Sequence, residues 1–378
     1  MAGIYVHIPF CRQACHYCDF HFSTNTSKQA QLIRNIGSEL ILQKNYLGQE
    51  KVGTIYFGGG TPSMLSTDEL NYLLGIIYKN FEMAPSVEIT LEANPDDLRR
   101  EKLNELKKTG INRLSIGIQS FDNSILKFMN RSHDSASAIS SFMDARSAGF
   151  ENISVDLMYA LPGQHLTDWE KNIDQALELN PEHISAYSLT IEEKTVFGKW
   201  ASEKKIRPTD NDVSAHQLLY LIEKLDQCGF EHYEVSNFSK PGYISKHNSS
   251  YWKGEKYLGT GPSAHSYNGT SRQFNVSNNH LYSNSLESGQ IPATIELLSR
   301  EDKINDFLLT SLRTSWGANL QELRQEHGYD LFKIHGDYVQ KLIDSGYAVH
   351  TNEMLILTKS GRLLADKIAS DLFTMTYS

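Results

Sequence analysis

The chain has 378 residues, 40% hydrophobic and 21% charged, enough for one large domain with a smaller appendage. Its net charge of −9 speaks against nucleic acid as a partner, because phosphate binding needs a basic face. No run approaches the ~18 apolar residues of a membrane span, and Met1–Val6 lacks the basic and apolar regions of a signal peptide. The default location is therefore the cytoplasm, with peripheral membrane association left open.

In chain order, β-rich runs alternate with helical patterns. Strands are predicted at Ile4–Ile8, Thr54–Phe57, Val87–Leu91, Arg113–Ile118, Ile153–Leu157, His183–Ser188 and Glu231–Val235. Between them, helical periodicity covers Gln29–Leu42, Ser66–Phe81, Asp97–Thr109, Ser135–Ala148, Leu166–Leu179 and Asn211–Cys228. Ser66 with Glu69 three residues later reads as a capping box. Six such repeats predict an α/β fold with a parallel sheet, a partial (β/α)6 TIM-like barrel over 1–235; an open doubly wound sheet is the alternative. Either places the site at the carboxyl ends of the strands. Residues 236–295 are expected to be irregular and packed on the barrel. Helical patterns at Arg300–Thr314, Leu320–His327, Leu331–Ser345 and Lys359–Phe373, with a short hairpin, make 296–378 a winged-helix-like module. Its nine Lys/Arg against twelve Asp/Glu favour packing over DNA binding.

Three of the four cysteines, Cys11, Cys15 and Cys18, fall within eight residues, directly after the first strand. In an intracellular protein such clustering points to metal or redox chemistry rather than disulfides. The C-x3-C-x2-C loop is long enough to present three thiolates to one [4Fe–4S] cubane. A fully ligated cluster needs a fourth cysteine, and Cys228 stands far off, reading as a small residue near a helix end. The fourth iron would then be open to a ligand. Zinc is the competing reading, but beyond His16 no second pair of ligands follows at zinc-site spacing.

Further signals sit at strand ends. Gly58-Gly59-Gly60-Thr61-Pro62 follows a strand and would let backbone groups approach a ligand closely. Glu92, Gln119 and Asp156 each interrupt or close an apolar strand. Buried polar groups need partners, so they are either caps and mouth hydrogen bonds or the wall of a polar pocket.

With Tyr17 just before the last cysteine, the motif resembles that of the radical S-adenosylmethionine superfamily, whose fold is a full or partial (β/α) barrel. The resemblance implies cluster ligation by Cys11, Cys15 and Cys18, and S-adenosylmethionine on the open iron. It implies nucleoside or methionine contacts from Tyr5, Gly59, Gly60, Thr61, Glu92, Gln119, Arg131 and Asp156. The Gly-Gly-Gly-Thr-Pro variant is similar to that of the coproporphyrinogen-oxidase-like branch.

Two functions compete within that branch: oxygen-independent coproporphyrinogen III dehydrogenase, and a heme chaperone related to it. The dehydrogenase carries another cysteine two residues after the last ligand, where this chain has Phe20. It also has an N-terminal lid, which is not expected here because Tyr5 already belongs to the first strand. Lys246-His247-Asn248-Ser249-Ser250-Tyr251-Trp252 contains H-N-x-x-Y-W, which resembles the chaperone group's signature. The resemblance implies heme as cargo and acceptor hemoproteins as partners, membrane-bound respiratory enzymes among them. His247 is the candidate axial ligand, with Tyr251 and Trp252 covering the macrocycle; His265, a tyrosine or Cys228 are alternative donors. No catalytic residue is assigned, and monomer and dimer both stay open.

Overall fold

A computed structural model describes residues 1–374. Period-two alternation organises its first half. Six strands run side by side and parallel: β1 (Ala2–Ile8), β2 (Val52–Gly59), β3 (Met83–Ala93), β4 (Arg113–Gln119), β5 (Ile153–Tyr159) and β6 (His183–Ser188). One set of side chains, including Ile4, Val6, Ile55, Phe57, Leu114, Ile116, Val155 and Leu157, joins a single apolar core with the helices. The alternate set, including Tyr5, His7, Tyr56, Glu92, Arg113, Asp156 and His183, is polar and shares the opposite face.

The covering helices are α1 (Gln29–Leu42), α2 (Thr67–Asn80), α3 (Arg100–Lys108), α4 (Asn123–Phe128), α5 (Ser135–Ser147), α6 (Leu166–Glu178), α7 (Val196–Ser202) and α8 (Asn211–Gln227). The Ser66 capping box at the start of α2 is formed on both sides. Helices α4 and α7 were not anticipated: at six and seven residues they are too short for periodicity to register.

The sheet extends past both edges of the six-stranded unit. Beyond β6 lie β8 (Asn237–Ser239), antiparallel to β6, and β7 (Glu231–Glu234), antiparallel to β8. Beyond β1, the chain passes through α9 (Lys246–Trp252) and adds β9 (Tyr257–Thr260), parallel to β1. Antiparallel β10 (His265–Tyr267) and β11 (Ser271–Asn275) follow; α10 (Asn279–Glu287) then leads to antiparallel β12 (Ala293–Leu297). Residues 236–295 are thus an ordered part of one 12-stranded sheet, not an irregular region. Their strands are three to five residues long, too short to carry a pattern, and they gain order by pairing.

The C-terminal module has its own core around Leu308, Leu323, Val339 and Leu355. It comprises α11 (Arg300–Leu312), β13 (Ala318–Asn319), α12 (Leu320–His327), α13 (Leu331–Asp344), β14 (Ala348–Thr351), β15 (Met354–Leu357), α14 (Lys359–Arg362) and α15 (Ala365–Asp371). Helices α11, α12 and α13 accompany a three-stranded sheet of order β13-β15-β14. The final helix is split in two at Leu363–Leu364. Among the described residues, no helix is long and apolar enough to cross a membrane.

Candidate functional site

The cysteine loop leaves the carboxyl end of β1 and is held by its backbone. Cys11 N donates to Ser23 O at 3.1 Å, and Ser23 N to Pro9 O at 2.8 Å. His16 N donates to Met129 O at 3.0 Å, and the His16 ring packs 4.8 Å from Trp200. Gln13 Nε2 reaches Asn130 Oδ1 at 2.8 Å, while Asn130 Nδ2 donates to Ala14 O at 2.7 Å. The turn after α4 therefore fixes the loop, with Asn130 in the left-handed region at φ 58°.

Cys11, Cys15 and Cys18 are all unpaired and half-buried. Burial pushes the Cys11 thiol up and the Cys18 thiol up to about 12; a bound metal cluster reverses this by stabilising thiolates. Among the described residues, no three His, Cys, Asp or Glu side chains converge on a single-ion site. A cubane asks for something else, one thiolate on each of three different irons.

Arg131 lies against this loop. Its Nη1 is 3.4 Å from Cys15 Sγ and 3.5 Å from Tyr17 Oη; its Nη2 donates to Asn94 Oδ1 and Gly117 O, both at 2.7 Å. Burial opposes its charge, but Tyr17 and Cys15 outweigh that and raise its pKa. Its Nε is buried without a partner among the described residues, a donor in reserve for an anionic ligand.

The glycine turn packs on the end of β1. A Cβ on Gly60 would fall 2.7 Å from Phe10 O, and Gly59, at φ 105°, would bring one 2.5 Å from the His7 ring. Neither position admits a side chain. Thr61 Oγ1 lies 3.5 Å from Cys11 Sγ. Glu92 accepts from Tyr56 Oη at 2.8 Å and Gly59 N at 3.2 Å; burial, only partly offset by those bonds, pushes its pKa up to about 7. Asp156 accepts from Ser115 Oγ at 3.0 Å and Ser154 Oγ at 3.1 Å. Gln119 ends β4 in the left-handed region at φ 67°, beside a register shift; such strain collects at functional positions.

The structure brings the three cysteines, Gly59, Gly60, Thr61 and Arg131 to one mouth, with Tyr5, Glu92, Gln119 and Asp156 on the same polar face of the sheet. It adds residues the sequence did not single out: Asn94, which ties Arg131 to Thr61 (3.4 Å), and Arg113. The latter is 1% exposed with Nε and Nη2 unpartnered among the described residues, a buried charge that offsets a small part of the burial that raises the pKa of Glu92 and Asp156. Alternation could have placed Arg113 inward, at the start of a strand whose Ser115 and Gly117 share its face.

The H-N-x-x-Y-W helix is packed into the sheet. His247 is 1% exposed, inside the strand array. Its Nδ1 lies 2.7 Å from Thr54 Oγ1 and its Nε2 2.8 Å from Tyr251 Oη, and its ring stacks 4.9 Å from Tyr56. Its backbone N donates to Glu88 Oε1 at 3.0 Å. Both ring nitrogens are engaged and desolvation lowers its pKa to about 3, so the imidazole anchors α9. Tyr251 and Trp252, by contrast, reach an open cleft at the other end of the helix.

Fold and mouth together define a radical S-adenosylmethionine protein, and the comparisons agree. The Radical SAM superfamily model matches residues 5–176, and the HemN C-terminal domain model matches 298–364. The chain is 35% identical to "Heme chaperone HemW" of Bacillus subtilis over 97% of this chain and 98% of that one. It is 34% identical to the protein of the same name in Lactococcus lactis, over 96% and 95%. The chain belongs to the HemW family. Among solved structures, the coproporphyrinogen III oxidase HemN of Escherichia coli, described as a radical SAM enzyme, superposes with TM-score 0.84 at 24% identity, covering 99% of this chain and 90% of that one; this likeness concerns the fold.

Proposed function

We propose that the protein binds heme and passes it to acceptor hemoproteins, carrying a [4Fe–4S] cluster on Cys11, Cys15 and Cys18 and S-adenosylmethionine at the adjoining strand ends. The observation that carries the reading is the likeness to proteins named heme chaperones along nearly the whole chain, α9 and C-terminal module included. When bound, the cluster would supply an electron to the sulfonium of the cofactor. Around it, Arg131 orients Cys15 and keeps Nε for an anionic group, the Gly59–Gly60 turn offers backbone to the methionine moiety, and Glu92 and Asp156 accept from nucleoside hydroxyl or amino groups. Phe20, 74% exposed, occupies the position where the resemblance gives the dehydrogenase a further cysteine.

Anaerobic reconstitution should load about four irons per chain, hemin should bind, and hemin should move to an apo-acceptor. Stoichiometric zinc without iron sinks the cluster assignment. Anaerobic conversion of coproporphyrinogen III to protoporphyrinogen IX overturns the chaperone reading in favour of the dehydrogenase.

A further inference from the structure

A cleft of ≈ 830 Å³ separates α9 and the β9–β11 strands from the C-terminal module, within the usual range for ligand sites. Its walls include Trp252 at the end of α9, Tyr257 on β9, Phe307 on α11 and Trp316 before β13, all half-buried. Aromatic rings left half-exposed around a concavity mark a place where a large flat apolar surface is missing. Lys253 stands 5.4 Å from the Trp316 ring, and Lys303 also lines the cleft; two cations suit a ligand with two carboxylates. Of the acidic residues there, Asp306 is paired with Arg272, while Glu322 and Glu326 lie on α12 and Glu255 at the α9 side.

One histidine lines this space: His327, the last residue of α12. Its ring packs 6.1 Å from Phe307. Its carbonyl accepts from Arg300 Nε at 2.6 Å, whereas the imidazole has no hydrogen-bond partner among the described residues. A neutral imidazole is the form that binds iron. An iron already held by four pyrrole nitrogens needs only one or two donors from a protein.

Resting on the heme-binding reading above, we infer that this cleft is the porphyrin seat, that His327 is the axial ligand, and that Trp252 and Trp316 flank the macrocycle with Lys253 and Lys303 on its propionates. His247 is then a positioning residue. It holds α9 so that Tyr251 and Trp252 face the cleft, and it links the cleft to the mouth, from Tyr251 through His247 and Tyr56 to Glu92.

The test is hemin titration of the full-length, cluster-loaded protein. Wild type should give a Soret shift of histidine-ligated heme. His327→Ala should lose that signature and bind at least about tenfold more weakly, with exogenous imidazole restoring the signature. His327→Met keeps the bulk and moves the spectrum only if the side chain touches iron. Lys253→Glu should weaken binding with the spectrum unchanged, and His216→Ala, on the exposed face of α8, should change nothing. If both His327 variants keep wild-type spectrum and affinity, the seat is elsewhere, though the chaperone reading stands. If wild type itself binds no hemin, it is the chaperone reading that fails.

Discussion

The strand-end mouth and the cleft beside α9 are put together in opposite ways. The mouth draws its groups from three short contiguous stretches, Cys11–Cys18, Gly58–Thr61 and Met129–Arg131, each held by backbone hydrogen bonds to its neighbours. The cleft takes Trp252, Tyr257, Phe307, Trp316, His327 and Met354 from separate elements on two cores. The first is preorganised by local chain geometry. The second exists only while the C-terminal module is docked. A site meant to keep a reactive cofactor gains from the first arrangement, and a site meant to release its cargo gains from the second.

The sharpest break between the two is Cys15→Ala. It should remove essentially all iron–sulfur absorption and bound iron, while hemin binding at the cleft persists. Joint loss of both would show that the two sites are one folding unit. Next comes His247→Ala, which leaves the Thr54 and Tyr251 hydroxyls facing a cavity. It should cost about 2–4 kcal/mol in denaturant unfolding and weaken hemin binding without abolishing histidine ligation. Loss of the axial signature here, with His327→Ala silent, would return His247 to the iron.

Arg131→Ala should act on the mouth alone. Removing charge-assisted bonds of about 1.5–3 kcal/mol each should weaken S-adenosylmethionine binding by about tenfold or more, measured calorimetrically, with hemin affinity unchanged. The smallest effect is in pH. Burial lowers His7 and His133 to about 4, and His232 and His247 to about 3. Between the ordinary histidine value of 6.5 and about 4, the unfolded chain takes up protons that the folded chain refuses. Stability should therefore fall as pH drops through that window. Glu92 works the other way: its folded pKa of about 7 lies above 4.5, so its ionisation lowers stability as pH rises between those values. Glu92→Gln should raise the melting temperature of the cluster-free protein more at pH 8 than at pH 5; an equal gain at both would remove Glu92 from that role.

Several particulars were legible before any coordinates. Helix Gln29–Leu42 and strand His183–Ser188 coincide with their sequence-based bounds, because each is long or apolar enough to carry its own period. The Ser66 box depends on two residues three apart, a local relation. The three cysteines and the glycine turn are legible for the same reason. Arg131 was reached only by resemblance; nothing around it in the chain says that it lies between Cys15 and Asn94.

Other features had no local signature. β9 pairs with β1, more than 250 positions away in the chain, and such pairing is stabilised by a neighbour the segment cannot reveal. His247 looked like a metal donor because its motif is a string of donors. Its role follows from Thr54 and Tyr251 closing on its ring, and one of those lies 193 residues away. His327 ends an ordinary amphipathic helix and carries no motif at all.

By itself, then, the sequence determined the cysteine loop, the β/α alternation and the identity of the mouth, since these rest on spacing and period along the chain. The tertiary structure alone decided that His247 is sealed against the sheet, that His327 faces open space, and that a cleft exists beside α9. Burial, and the competition of neighbours for each nitrogen, are properties of packed surfaces that no stretch of chain contains.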